Sequence, residues 1–93
     1  MKEEHVIKIP FKILKNKNLS DNAKILYGEI ERLSREFGFC YAQNVYLSDL
    51  LQVSERSIRD FISQLKKEKL IKMEFENRGN ARIRRIYLWD VES

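Results

Sequence analysis

Cysteine and histidine each occur once in the 93 residues, as Cys40 and His5. One cysteine closes no internal disulfide, which fits a reducing compartment, and the expected location is cytoplasmic. A single cysteine and a single histidine do not make the usual ligand set of a metal site, so neither a metal nor another cofactor is expected. The glycines are scattered at positions 28, 38 and 79, which leaves no glycine-rich loop to cradle a nucleotide. There is no run of about 18 apolar residues, and so no candidate membrane span. The opening MKEEHVIKIPF mixes charges of both signs and lacks the apolar stretch of a signal peptide. Repeats, low-complexity tracts and Pro/Gly/Ser-rich linkers are absent, so residues 1–93 are expected to form one domain.

The chain does carry charge, unevenly placed. Its net charge is +4, with +1 over residues 1–53 and +3 over residues 54–93, and six of the eight arginines lie in the second part. Arg78, Arg82, Arg84 and Arg85 fall between Asn77 and Leu88 with no acid among them. Clustered arginine is what a phosphate-binding surface needs. A solvated edge strand kept soluble by charge has the same composition, and charge alone does not separate the two. Glu29, Glu31 and Glu36 lie on an expected helix and read as solvated charges rather than acid/base groups. Cys40 reads as a small buried residue rather than a nucleophile. No enzymatic activity is expected.

Periodicity gives the elements. HVIKIP alternates apolar and polar residues and reads as a short strand ended by Pro10, with FKIL as a helical turn or extended connection. Ser20 is a plausible N-cap, and Ala23, Leu26, Ile30, Leu33 and Phe37 then mark one apolar stripe on a helix over about 20–37. Glu31 and Arg35 stand i, i+4 on its wet side, and Gly38 marks its end. FCYAQ is expected to be extended. Asn44 is a candidate cap for a second helix to Leu51, with Leu47, Leu50 and Leu51 inward. After Gln52-Val53, Ser54 is the expected cap of a third helix over about 54–69, with Ile58, Phe61, Ile62 and Leu65 inward. LIKMEF and ARIRRIYLW read as strands of a hairpin over about 70–89, turned at Asn77–Asn80 with Gly79 at positive φ. Tyr27, Tyr41, Tyr46, Tyr87 and Trp89 are expected at core margins, with Trp89 a possible anchor for a subunit contact.

The stretch from Asn44 to Ile71 is the informative one. A short helix and a longer one joined by three residues must cross steeply, with Val53 plugging the corner and Ser48 permitting close approach. That leaves the third helix protruding at a width that fits the DNA major groove. If Ile58, Ile62 and Leu65 face the core, then Glu55, Arg56, Arg59, Asp60 and Ser63 point outward, with Ser57 at the margin. Arg56 and Arg59 are suited to bidentate contacts with guanine or to clamping phosphates. Ser54 and Ser57 stand where hydroxyl and amide donors can meet a phosphate. Glu55 and Asp60 would accept from cytosine or orient the arginines.

NVYLSDLLQVSERSIRDFISQLKKEKLI resembles the helix-turn-helix core of many winged-helix DNA-binding domains. HVIKIPFKIL, LSDNAKILYGEIERLS and GFCYAQN resemble a narrower set, the N-terminal domains of RepA- and DnaD-type plasmid and phage replication initiators of Gram-positive bacteria. Two positions depart from the pattern: Gln52 and Lys69 stand where glycine is common. The resemblance implies an α+β winged helix-turn-helix, with a three-helix core, a C-terminal hairpin wing and a short N-terminal strand. It also implies double-stranded DNA binding through the third helix, with the wing on the backbone or minor groove. The residues expected to face DNA are Asn44, Ser54, Arg56, Ser57, Arg59, Asp60, Ser63, Arg78, Arg82 and Arg84. A homodimer and replication proteins are the other partners considered, in replication initiation or transcription control. The alternative is a winged-helix interaction or oligomerisation module of a replisome assembly.

Overall fold

The computed structural model describes residues 5–89. Its elements in chain order are α1 (Phe11–Leu14), α2 (Asp21–Ser34), α3 (Asn44–Leu51), α4 (Glu55–Lys67), β1 (Ile71–Arg78) and β2 (Ala81–Leu88). The strands pair antiparallel from Ile71 with Leu88 to Arg78 with Ala81, leaving Gly79 and Asn80 as a two-residue loop. Gly79 has φ +56°, at the position where a primed hairpin loop calls for glycine. Cys40 adds one antiparallel bridge to the outer side of β2, exchanging both backbone hydrogen bonds with Ile86 at 2.9 and 2.8 Å. This is the winged-helix arrangement, α+β, with α2, α3 and α4 around the core and the hairpin beyond them. No described helix is long and apolar enough to cross a membrane.

The core follows the periodicity of α4. Ile58, Phe61, Ile62 and Leu65 are buried at helical spacing and meet Ala23, Leu26, Tyr27 and Ile30 of α2, Leu47 of α3, and Ile71 and Ile86 of the hairpin. Leu33, Leu51 and Val53 pack half-buried against this cluster, Val53 at the corner between α3 and α4. Ser20 and Ser54 cap α2 and α4, accepting from the backbone N–H of Ala23 and Ser57. The Glu31–Arg35 pair forms across one turn at 2.7 Å.

Four expectations are corrected. Residues 5–10 are not a strand, because no sheet edge receives their hydrogen bonds. Ile7 and Ile9 instead lie against Gly28 of α2, where a Cβ would come within 3.0–3.2 Å of them. The regular part of α2 ends at Ser34, and a looser turn closes when Gly38, at φ +83°, donates to the Ser34 carbonyl. That turn rotates Phe37 off the apolar stripe and leaves it 53% exposed. Glu29 is buried, not solvated; it accepts from His5 Nε2 at 2.8 Å and from Arg32 Nε at 2.9 Å, so the burial of its charge is compensated. Asn44 is not a cap: Gln43 holds that position without a side-chain bond, and the Asn44 side chain is engaged elsewhere.

The two non-glycine departures share one geometry. Gln52 and Lys69 both have φ 59°. Val53 N–H reaches the Ser48 carbonyl and Gln52 N–H the Asp49 carbonyl; Leu70 and Lys69 do the same to Leu65 and Lys66. Each is a Schellman closure with a side-chain-bearing residue at the left-handed position. Gln52 offsets part of the steric cost by donating from Nε2 to the Asp49 carbonyl at 2.7 Å. The fixed turn at Gln52 sets the angle at which α4 leaves α3.

Candidate nucleic-acid interface

Advancing about 100° per residue along α4, the side opposite Ile58, Ile62 and Leu65 carries Arg56, Asp60, Ser63 and Lys67, with Arg59 flanking them. All five are exposed. Among the described residues Arg56 and Arg59 have no hydrogen-bond or ion-pair partner, so their guanidinium groups keep every donor for a ligand. Lys67 was missed by the sequence reading, although the periodicity that placed Arg56 and Ser63 extends to it one turn further on. Asp60 does not orient an arginine; it accepts from Gln64 Nε2 at 3.1 Å. Gln64 in turn accepts from the Ser20 backbone N–H at 2.8 Å, which ties this side of α4 to the start of α2.

The two serines at the helix start are already employed. Ser54 Oγ accepts from Ser57 N–H at 3.0 Å and lies 3.1 Å from Ser57 Oγ, and Ser57 is half-buried. Ser48 is half-buried too, with its hydroxyl donating back to the Val45 carbonyl.

The arginines of the hairpin divide by strand face. Side chains alternate across a strand, and the register puts Phe75, Arg82 and Arg84 on one face, with Glu74, Glu76, Arg78 and Arg85 on the other. On the second face Arg85 and Arg78 both pair with Glu76 and hold its carboxyl below the usual carboxylate range. The positive charge there is therefore partly neutralised, a pairing that residues nine apart in sequence do not announce. On the first face Arg82 places its guanidinium carbon 4.1 Å from the centre of the Phe75 ring. Arg84, half-buried, donates to Asn44 Oδ1 at 2.8 Å and to the Ala42 carbonyl at 2.7 Å. Burial lowers its pKa from the ordinary arginine value. Arg84 and Asn44, separate candidates in the sequence, are one contact that fastens the hairpin to the start of α3. The α4 residues and the hairpin residues thus form two surfaces, one presented by a single helix and one by the seam between β2 and α3.

Comparison with known proteins follows this geometry. A family model described as "Helix-turn-helix domain" matches residues 17–71. No curated protein sequence matches the chain. A solved structure described as "Structure of Rep-DNA complex" is similar with a TM-score of 0.67 and 19% sequence identity, over 94% of this chain and 76% of that chain. At that identity the likeness is one of fold.

Proposed function

The chain belongs to the helix-turn-helix domain family, and from that premise we propose that it is a double-stranded DNA-binding module rather than an enzyme. In this reading α4 enters the major groove and the hairpin lies along the backbone. The observation that carries it is the exposure of Arg56 and Arg59, unpartnered among the described residues, on the side of α4 away from the core. Sequence discrimination comes from these two side chains, whose forked donors match guanine O6 and N7. Lys67 adds phosphate attraction. One module offers few base contacts, so useful affinity calls for a homodimer or several copies on repeated sites. The fold shared with the protein of a Rep–DNA complex supports replication initiation, on a plasmid or phage, ahead of transcription control.

The test is a paired titration by fluorescence anisotropy at one fixed salt concentration. Arg56→Ala and Arg59→Ala are expected to cost about 1–3 kcal/mol on the preferred duplex and much less on a scrambled one. Equal losses on both duplexes would make these side chains phosphate clamps, and no loss on either would move the interface off α4.

A second reading has its own observation. Phe37, Tyr41, Tyr46 and Trp89 are each about half exposed, and Phe37, Phe39 and Tyr41 form a cluster of tilted and T-shaped rings with centroids within 6.3 Å of one another. Exposed aromatic clusters suit protein contacts. An interaction module for replication proteins would use that surface. It would bind no duplex at low salt and would associate with concentration.

A further inference from the structure

We propose that α1 and the lysines around it form a docking surface for an anionic lipid bilayer, a peripheral contact with no spanning segment. It is independent of the duplex-binding reading.

The burial of one residue sets the geometry. Ile13 is fully buried and pins the single turn of α1 to the core, and the Ile13 and Leu14 N–H groups both donate to the Pro10 carbonyl at 2.9 Å. Phe11 and Leu14, three residues apart and so neighbours on a helix surface, are left outward, 70% and 52% exposed. An ammonium stands beside each. Lys15 Nζ lies 5.1 Å from the centre of the Phe11 ring, and Lys24 Nζ donates to the Leu14 carbonyl at 2.6 Å. From His5 to Ser20 the chain carries Lys8, Lys12, Lys15 and Lys17 and no acid. Two acids that other elements bring to this segment are engaged: Glu29 pairs with His5 and Arg32, and Glu68 accepts from Asn16 and Asn18.

Exposed apolar side chains flanked by cations have the chemistry of an interfacial anchor. The apolar groups enter the boundary between headgroups and acyl chains, and the ammonium groups stay among the lipid phosphates. A duplex backbone would attract the same cations but offers Phe11 and Leu14 nothing to bury against. The charges here are all lysines, point charges that need no fixed partner geometry, whereas the outward side of α4 leads with the forked Arg56 and Arg59. A partner helix needs a groove, and side chains this exposed project from the surface rather than line one. The patch also stands clear of the front of α4. The loop after α1 touches that helix at Gln64 and Glu68, and Glu68 is about 18 Å along it from Arg56.

The test is flotation with vesicles of phosphatidylcholine alone and of phosphatidylcholine mixed with phosphatidylglycerol. The chain is expected on the mixed vesicles, not on the neutral ones, with affinity falling as salt rises. Lys15→Gln and Lys17→Gln should each weaken binding about five-fold. Phe11→Ser should weaken it about ten-fold without changing the salt dependence, and should leave duplex affinity as it is. In a Trp89→Phe background, which removes the one native tryptophan, the emission of Phe11→Trp should shift to the blue on mixed vesicles alone. Failure of the wild-type chain to float with mixed vesicles overturns the proposal. So does equal binding by Phe11→Ser, which would leave a charged surface for any polyanion, an acidic protein included. If Phe11→Ser loses duplex affinity as well, the patch belongs to the duplex interface instead. Should Phe11→Ser lose its native circular dichroism, the Phe11→Trp emission decides.

Discussion

Cys40 lies fully buried beside Ile86, and burial pushes its thiol up from the ordinary range, against smaller opposing pulls from the Ala42 backbone and the Arg84 cation. A thiol whose folded pKa is raised stays protonated in the native state after the unfolded chain has begun to ionise. Its contribution to stability is therefore complete below the unfolded value of about 8.5 and declines as pH rises above it. The buried Tyr27 phenol, raised chiefly by burial and secondly by Glu31, acts in the same direction at higher pH. Urea unfolding of Cys40→Ala at a series of pH values from 7 to about 10 is expected to show a shallower alkaline decline than the wild-type chain. Parallel declines would mean that the thiol is not the group responsible. Single residues were legible in the sequence where their partners are local: Ser20 and Ser54 cap as their spacing implies, and Cys40 is inside. Glu29 and Arg84 were not, because what defines them lies 24 and 40 residues away, at His5 and Asn44. A charge on a helix face reads as solvated until the segment that covers it is known.

Elements were most legible where one face decides their position. The spacing of Ile58, Phe61, Ile62 and Leu65 fixed α4 and its outward side, and the two-strand hairpin followed from its turn residues. The supposed N-terminal strand shows the converse: alternation in HVIKIP reflects Ile7 and Ile9 resting in the gap left by Gly28, and alternation says nothing about whether a neighbouring strand exists. Gln52 and Lys69 show that a closure can be right even where its usual residue is missing, since the backbone bonds of both Schellman turns form despite a Cβ at the left-handed position. Lys69→Gly is accordingly expected to stabilise the domain by about 1 kcal/mol or less, the steric relief being partly cancelled by the greater freedom of glycine in the unfolded chain. Thermal and urea melts of the variant check the sign. A lower melting temperature would show that the Lys69 side chain contributes more than its backbone strain costs.

At the scale of the whole molecule, the hairpin has a root and a tip. At the root, Ile86 is bonded to Cys40, Arg84 to Ala42 and Asn44, and the Trp89 N–H to the Leu70 carbonyl. Toward the tip, residues 77–82 are all exposed, and the strands bond only to each other. Native-state hydrogen exchange is expected to slow steadily from the loop at Gly79 toward Ile86. Uniform protection along both strands would show that the hairpin opens as one unit with the core. The molecule is thus a beam clamped at one end. A sideways load on Gly79 is felt as torque at the Cys40–Ile86 clamp, a few residues before α3 begins.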